Sequence, residues 1–286
     1  MYSRVRVLHF DGLLMLQSIT ELQSLATWGL ADLLHWAASR QLKYGLERSV
    51  RFCQNIFERR RVLVSFSIDE IGKDALVEVL QICRNMRAPE PHLQSIRRFF
   101  SGAAYVHFGF EYSGDVVIGK CYLELPPATG ITTAAASGRL QFLGFKWAIN
   151  ASSVAVVTRY RILHVPGWDD TAAIMQANTG SVLQPVMQGL MTKVCERQQS
   201  GNRVPSFLEI EEEGSDRRSF DLNVYDLALT ITQLAEPILM AAGVLDLDIG
   251  AIKNWLATNS GTSVGHIATG LGRDQQSFFT IYYGLQ

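Results

Sequence analysis

The chain has 286 residues, with 26 Lys plus Arg against 27 Asp plus Glu and a formal net charge of −1. That balance removes any global electrostatic argument for binding nucleic acid or an acidic membrane. Hydrophobic residues make up 48% and charged residues 19%, which excludes a disordered chain, and the length supplies core for one large domain or two ordinary ones. No apolar run reaches the roughly 18 residues needed to span a bilayer, and Met1–Gly12 carries Arg4, Arg6 and Asp11 where a signal-peptide core would stand. Cys53, Cys83, Cys121 and Cys195 form no CxxC pair, so the expectation is a cytoplasmic protein without zinc or a disulfide framework.

Along the chain, Leu16, Ile19, Leu22, Leu25, Gly29, Leu33 and Trp36 recur at intervals of three and four and predict a helix with one apolar face. A first hairpin runs from about Leu46 to Phe52 and from Arg59 to Ser67, where Val62, Val64 and Phe66 alternate with Arg61, Leu63, Ser65 and Ser67. Asp69 is placed to cap a helix whose face carries Ile71, Leu76, Val79, Leu80 and Cys83. The second hairpin, VHFGFEYSGDVVIGKCYLEL, turns at Ser113-Gly114-Asp115. Pro126 to Arg139 is short and Ala/Thr-rich, with room for a small helix at most. The third hairpin, FLGFKWAINASSVAVVTRYRIL, turns at Asn150-Ala151-Ser152-Ser153, and a helical stretch follows from about Asp169 to Cys195, with Pro185 expected to kink or divide it. The fourth hairpin, FLEIEEEGSDRRSFDLNVY, turns near Gly214-Ser215-Asp216. Helical segments start near Asp226, pass Pro237, and resume from Asp248 to Leu256 before the last hairpin, HIATGLGRDQQSFFTIYYG, which turns at Gly272-Arg273-Asp274.

Five hairpins, at about 46–67, 105–125, 142–163, 207–225 and 266–284, make ten strands in a single domain spanning 1–286. Single strands do not alternate with helices, which argues against a parallel doubly wound sheet. The pattern predicts an α+β fold, a ten-stranded antiparallel barrel with a solvent-filled lumen and helices outside, since closure removes exposed edges. A monomer is expected for the same reason.

Each strand of such a barrel has one face towards the helices and one towards the lumen. Parity places Glu47, Ser49 and Arg51 inward against Val50 and Phe52, and Arg61, Ser65 and Ser67 inward against Val62, Val64 and Phe66. It likewise turns Lys120, Tyr122 and Glu124 inward, then Asp221, Asn223 and Tyr225, then Thr280 and Tyr282. Arg159 and Arg161 share a face away from Tyr160 and Ile162 and are placed inward, with a less regular parity. Convergence of Arg61, Lys120, Arg159 and Arg161 would form a site for a polyanion such as diphosphate, because guanidinium forks match its oxygens. The plain alternative is that these bases sit near strand ends in bulk solvent. His107 reads as a hydrogen-bonded strand histidine or a chamber residue, and no second His or Cys stands at metal-ligand spacing. The glycines of GHIATGLG belong to a hairpin, not to a dinucleotide fingerprint.

LERSVRFCQNIFERRRVLVSF (46–66), GKCYLEL (119–125), FLGFKWAIN (142–150) and FFTIYYG (278–284) resemble, in order, the hairpins of the ABBA prenyltransferases, and most of all the cyanobactin peptide prenyltransferases. The resemblance spans about 46–284 and rests on hairpin order and a few positions; no short motif is specific on its own. It implies αββα units around a reaction chamber in which an allylic diphosphate, dimethylallyl diphosphate here, ionises. A nucleophilic side chain of a cyclic or linear peptide then captures the carbocation. Mg²⁺ is implied as a companion of the diphosphate with no direct protein ligand, and aromatic rings as shields of the cation.

Residue by residue, the resemblance makes Glu47 the acid that orients or deprotonates the acceptor. Arg61 and Lys120 become diphosphate ligands, joined by Arg159 or Arg161. Tyr225 and Tyr282, and more weakly Tyr122, become cation shields or phosphate hydrogen-bond donors. The chain departs from the group in its fourth hairpin, where Glu209 and Glu211 precede a charged turn. With Glu47, Glu124 and Asp221 these would give the acceptor side a negative charge suited to arginine or histidine; the bland reading makes Glu211–Glu213 a solvated turn. Alternatives are a small indole or phenol acceptor, or a barrel that binds a ligand without turnover.

Overall fold

Apolar and polar side chains alternate with a period of two along ten strands, and that alternation builds the molecule. The strands are β1 (Gly45–Cys53), β2 (Ile56–Ser67), β3 (Tyr105–Ser113), β4 (Val116–Glu124), β5 (Leu140–Ala148), β6 (Ala155–Ile162), β7 (Phe207–Glu212), β8 (Arg218–Asn223), β9 (Val264–Leu271) and β10 (Ser277–Tyr283). This computed structural model describes residues 29–113, 115–126, 138–150, 155–165, 167–198 and 206–286. Every strand pairs antiparallel with its neighbours in sequence, and β10 pairs with β1 to close the barrel. The five hairpin turns therefore lie at one end and the longer connections at the other.

Eight α-helices are described: α1 (Leu30–Ser39), α2 (Ile68–Ile71), α3 (Ala75–Asn85), α4 (Glu90–Phe99), α5 (Trp168–Ala177), α6 (Gln184–Gln198), α7 (Ala235–Val244) and α8 (Ile249–Thr258). They cover the outer wall through two apolar cores. One joins Val64, Phe66, Phe108, Phe110 and Phe145 to Leu33, Val79, Leu80 and Ile96 of α1, α3 and α4. The other joins Phe52, Phe220, Leu222, Phe279 and Ile281 to Met187, Leu190, Ile238, Ile252 and Trp255 of α6, α7 and α8. Phe52 and Phe279, opposite each other in register, stack at 4.4 Å. Each fully buried side chain of this kind contributes about 1.5–3 kcal/mol, so the helical coat fixes which strand face points inward. Among the described residues no helix is long and apolar enough to cross a membrane.

Several local expectations need correction. Ser67, not Asp69, is the N-cap residue of α2, and the apolar face expected as one helix is split between α2 and α3 at Gly72, whose φ is 91°. The stretch from Asp169 to Cys195 divides ahead of Pro185: α5 ends at Ala177, Gly180 has a φ of 78°, and Pro185 sits in the first turn of α6, where its missing N–H costs nothing. The segment after Asp226 is two short 3₁₀ turns before α7 begins at Ala235. Helix α4, with a proline in its first turn, adds an element that the sequence pattern does not predict. Asp248 does cap α8, accepting from Gly250 N at 2.8 Å and Ala251 N at 3.1 Å. Leu16, Ile19, Leu22 and Leu25, Gly114, Ala151–Ser153 and most of the segment from Pro126 to Arg139 lie outside the described residues.

Candidate active site

Towards the turn end, strand register brings four bases together inside the barrel. Lys120 of β4 stands directly opposite Lys146 of β5, and Arg61 of β2 lies between Ser49 of β1 and Glu111 of β3. Arg61 and Lys120 both form ion pairs with Glu111, and Arg61 Nε donates to Ser49 Oγ at 3.2 Å. The Arg51 guanidinium lies 3.8 Å from the centre of the Phe278 ring. Neither Arg51 nor Lys146 has a carboxylate partner among the described residues. Burial draws Lys120 down to about 8 even with Glu111 beside it, and burial followed by repulsion from Lys120 holds Lys146 well below the ordinary lysine range. For Glu111 burial works the other way, but Arg61 and Lys120 prevail and keep its carboxyl well below the usual range.

Towards the helix-connected end, carboxylates and histidines meet. Tyr225, on a 3₁₀ turn just beyond β8, donates its hydroxyl to Glu47 Oε1. Gly265 makes that contact possible, because a Cβ there would overlap both the Tyr225 ring and the Glu47 carboxylate. His266 Nδ1 lies 2.6 Å from Asp221 Oδ1, and its ring meets Tyr225 edge-on at 5.1 Å and Tyr282 at 5.8 Å. His107 bridges Glu124 at 3.1 Å and Ser65 at 2.7 Å. Burial opposes a charge on His266, yet Asp221 and Glu47 raise it to about 9, so the imidazolium persists at neutral pH. Burial pushes the Glu47 carboxyl up, with His266 and the Tyr225 hydrogen bond offsetting part of the rise. A carboxylate raised in this way is suited to take a proton.

Aromatic rings occupy the space between. Tyr122 and Phe142 each meet Tyr160 edge-to-face, at 5.8 and 5.9 Å. Gly144, opposite Tyr122 in register, leaves room for that ring, which an added Cβ would overlap. Tyr160 and Tyr282 both feel Glu111 from one side and Asp221 from the other.

Glu47, Arg61, Lys120, Tyr122, Glu124, Asp221 and Tyr282 thus lie on inward strand faces, as parity placed them; Tyr225, which parity also placed inward, joins them instead from the turn beyond β8. Arg159, Arg161 and Glu209 do not. Tyr160 pairs with Phe142 and Thr158 with Gly144, so those residues take the inward face of β6 and turn both arginines outward. Arg159 pairs there with Glu213, Arg161 with Glu211 at 3.3 Å, and Glu209 with Arg218 at 3.2 Å. The arginine side chains are 36% and 37% exposed, and an outer face open to solvent makes polar residues point out. Lys146, Glu111, Tyr160 and His266 escaped the sequence reading, although Leu143, Phe145 and Trp147 on β5 and Phe108, Phe110 and Tyr112 on β3 mark the opposite face clearly.

No group of three His, Cys, Asp or Glu side chains among the described residues is placed to hold a metal, and Glu111 is already engaged by two cations.

No family model matches the chain, and no curated protein matches it. Solved structures do. The 5-dimethylallyltryptophan synthase from Streptomyces coelicolor is 14% identical, with a TM-score of 0.58 over 84% of this chain and 80% of that one. The prenyltransferase PriB, in ternary complex with L-tryptophan and dimethylallyl thiolodiphosphate, is 15% identical, with a TM-score of 0.58 over 83% and 79%. The prenyltransferase NotF, in complex with brevianamide F and DMSPP, is 13% identical, with a TM-score of 0.53 over 84% and 79%. At such identities the likeness is one of architecture: the closed ten-stranded antiparallel barrel in a helical coat is the ABBA prenyltransferase fold.

Proposed function

We propose that this protein is a prenyltransferase that moves a dimethylallyl group from dimethylallyl diphosphate to a nucleophilic side chain of a peptide, arginine first. The observation that carries the reading is the pair Lys120 and Lys146, facing each other across two strands beside Arg61 and Arg51. Like charges directly opposite each other destabilise a sheet, and a buried unpaired base is costly. A diphosphate would repay both. The donor's C–O bond breaks with the electron pair leaving on diphosphate, which these bases stabilise. The allylic cation lies against Tyr122, Tyr160 and Tyr282, whose ring faces favour a cation. The acceptor nitrogen forms the new N–C bond and gives its proton to Glu47. Mg²⁺ is proposed only as a companion of the diphosphate, and no step depends on it.

Glu47, Asp221 and Glu124 at the acceptor end favour a cationic side chain that must shed a proton to react. A second reading has indole or tryptophan as acceptor, with Glu47 accepting the ring N–H; the tryptophan named with PriB favours it. Mass spectrometry after incubation with Mg²⁺, dimethylallyl diphosphate and a panel of cyclic peptides, linear peptides, L-tryptophan and indole separates the two. A gain of one isoprenyl unit on an arginine peptide supports the first reading, and a gain on tryptophan or indole alone replaces it with the second. No gain on any acceptor, with diphosphate bound, would make the protein a ligand-binding barrel.

A further inference from the structure

Glu111 is the feature that a plain anion site does not need. It projects from β3 into the basic cluster, and one of its oxygens, Oε1, contacts both Arg61 Nη2 and Lys120 Nζ. Its register neighbours on the two flanking strands are Arg61 and Ile118, so no further base is held by the backbone beside it. Because a single oxygen makes both ion pairs, one swing of one side chain releases both cations together. Diphosphate oxygens would compete for those same N–H groups, since a carboxylate and a phosphate demand similar geometry.

We propose that Glu111 is a displaceable counter-ion of the donor site, exchanged for diphosphate on binding and returned to Arg61 and Lys120 as diphosphate leaves. The inference rests on the donor-site reading above. The exchange weakens retention in two ways: the bases give up an existing partner, and a carboxylate remains near a polyanion. At about 4 Å two unit charges still repel appreciably in a protein environment. Glu111 would then limit inhibition by the product diphosphate, with Arg61 and Lys120 paired at every stage and never left as bare buried charges.

Titration calorimetry with inorganic diphosphate tests this on the wild-type protein and Glu111→Gln, an isosteric change that removes only the charge. The expected result is a Kd lower by about tenfold or more in the variant, the factor for one charge-assisted contact. The inhibition constant of diphosphate against prenyl transfer should fall by a similar factor. An unchanged or higher Kd overturns the proposal and leaves Glu111 as a strut that positions the two bases. Should Glu111→Gln fail to fold, a crystal structure of the wild type with diphosphate decides: Glu111 Oε1 beyond about 4 Å from Lys120 Nζ supports the exchange, and intact ion pairs refute it. Wild-type binding with no tightening in the variant sinks this inference alone. No binding by either protein sinks the donor-site reading with it.

Discussion

The two charged clusters inside the barrel are built on opposite plans. At the helix-connected end each group is matched: Glu47 with Tyr225, His266 with Asp221, His107 with Glu124 and Ser65. At the turn end four bases converge, and Glu111 pairs with two of them, Arg61 and Lys120. Fully satisfied polar networks are rigid and hold a fixed geometry. A cluster short of anions is held at a cost that an incoming anion removes. Under the proposed function, the acceptor chemistry belongs to the matched end and the donor's diphosphate to the deficient one, with the tyrosines between.

Changes at each end should therefore separate. Glu47→Gln leaves the hydrogen bond from Tyr225 possible but removes the proton acceptor. Prenyl transfer should fall about 10²–10⁴-fold, with the Kd for diphosphate within about twofold of wild type. Loss of diphosphate binding in this variant would break the division of labour. The converse is Lys146→Met, which matches the aliphatic stem out to Cε and discards the amine. Diphosphate affinity should drop about 10–100-fold, while the midpoint of thermal unfolding rises by about 2–4 °C, because a buried unpartnered base gives way to a hydrophobe. A variant that lost affinity and stability together would show that Lys146 has a structural partner.

The pH dependence sharpens the same comparison. Lys120 titrates at about 8, drawn down by burial against the pull of Glu111, and Lys146 lies well below the ordinary range. Diphosphate bound to the protonated amines, as proposed, would raise both values, so binding at neutral pH should take up protons, and affinity should be lost as pH rises through about 8. The expected slope above that point is about tenfold in Kd per pH unit for each amine that must be reprotonated. Calorimetry in two buffers of different ionisation enthalpy measures the uptake. The acceptor end should behave differently: His266, raised to about 9 with Asp221 beside it, keeps its proton through this range.

Much of this was legible in the sequence where one face of a strand is covered by helices. Val64 and Phe66, then Cys121 and Leu123, then Phe279 and Ile281 are buried outside the barrel, with Val62 partly buried beside them, and their alternate neighbours Arg61, Lys120, Tyr122 and Tyr282 point inward as parity requires. Glu111 on β3 and Lys146 on β5 obey the same rule, opposite Arg61 and Lys120 in register. Tyr225 joined the site from a turn, beyond the reach of strand alternation, because Gly265 lets its ring approach Glu47. The rule inverted on β6 and β7. There the inward positions hold Tyr160, Leu208 and Ile210, while the outward positions hold Arg159, Arg161, Glu209 and Glu211. Alternation reports which face is covered, and only a helical coat makes the covered face the outer one.

The inversion yields the smallest expected effect. Arg159 forms its ion pair with Glu213 and Arg161 with Glu211, and both arginine side chains are more than a third exposed. Exposed ion pairs of this kind contribute about 0–1 kcal/mol, so Arg159→Ala and Arg161→Ala should shift the unfolding midpoint by no more than about 2–4 °C. Neither should alter diphosphate affinity by more than about twofold, since charges beyond a Debye length of about 8 Å are largely screened. The measurement is calorimetry with diphosphate on each variant beside Arg61→Ala, whose inward guanidinium should cost about 10–100-fold. A large loss from either outer arginine would mean that β6 can present its other face to the lumen, and that the boundary between the coated and open walls of the barrel is itself part of the site.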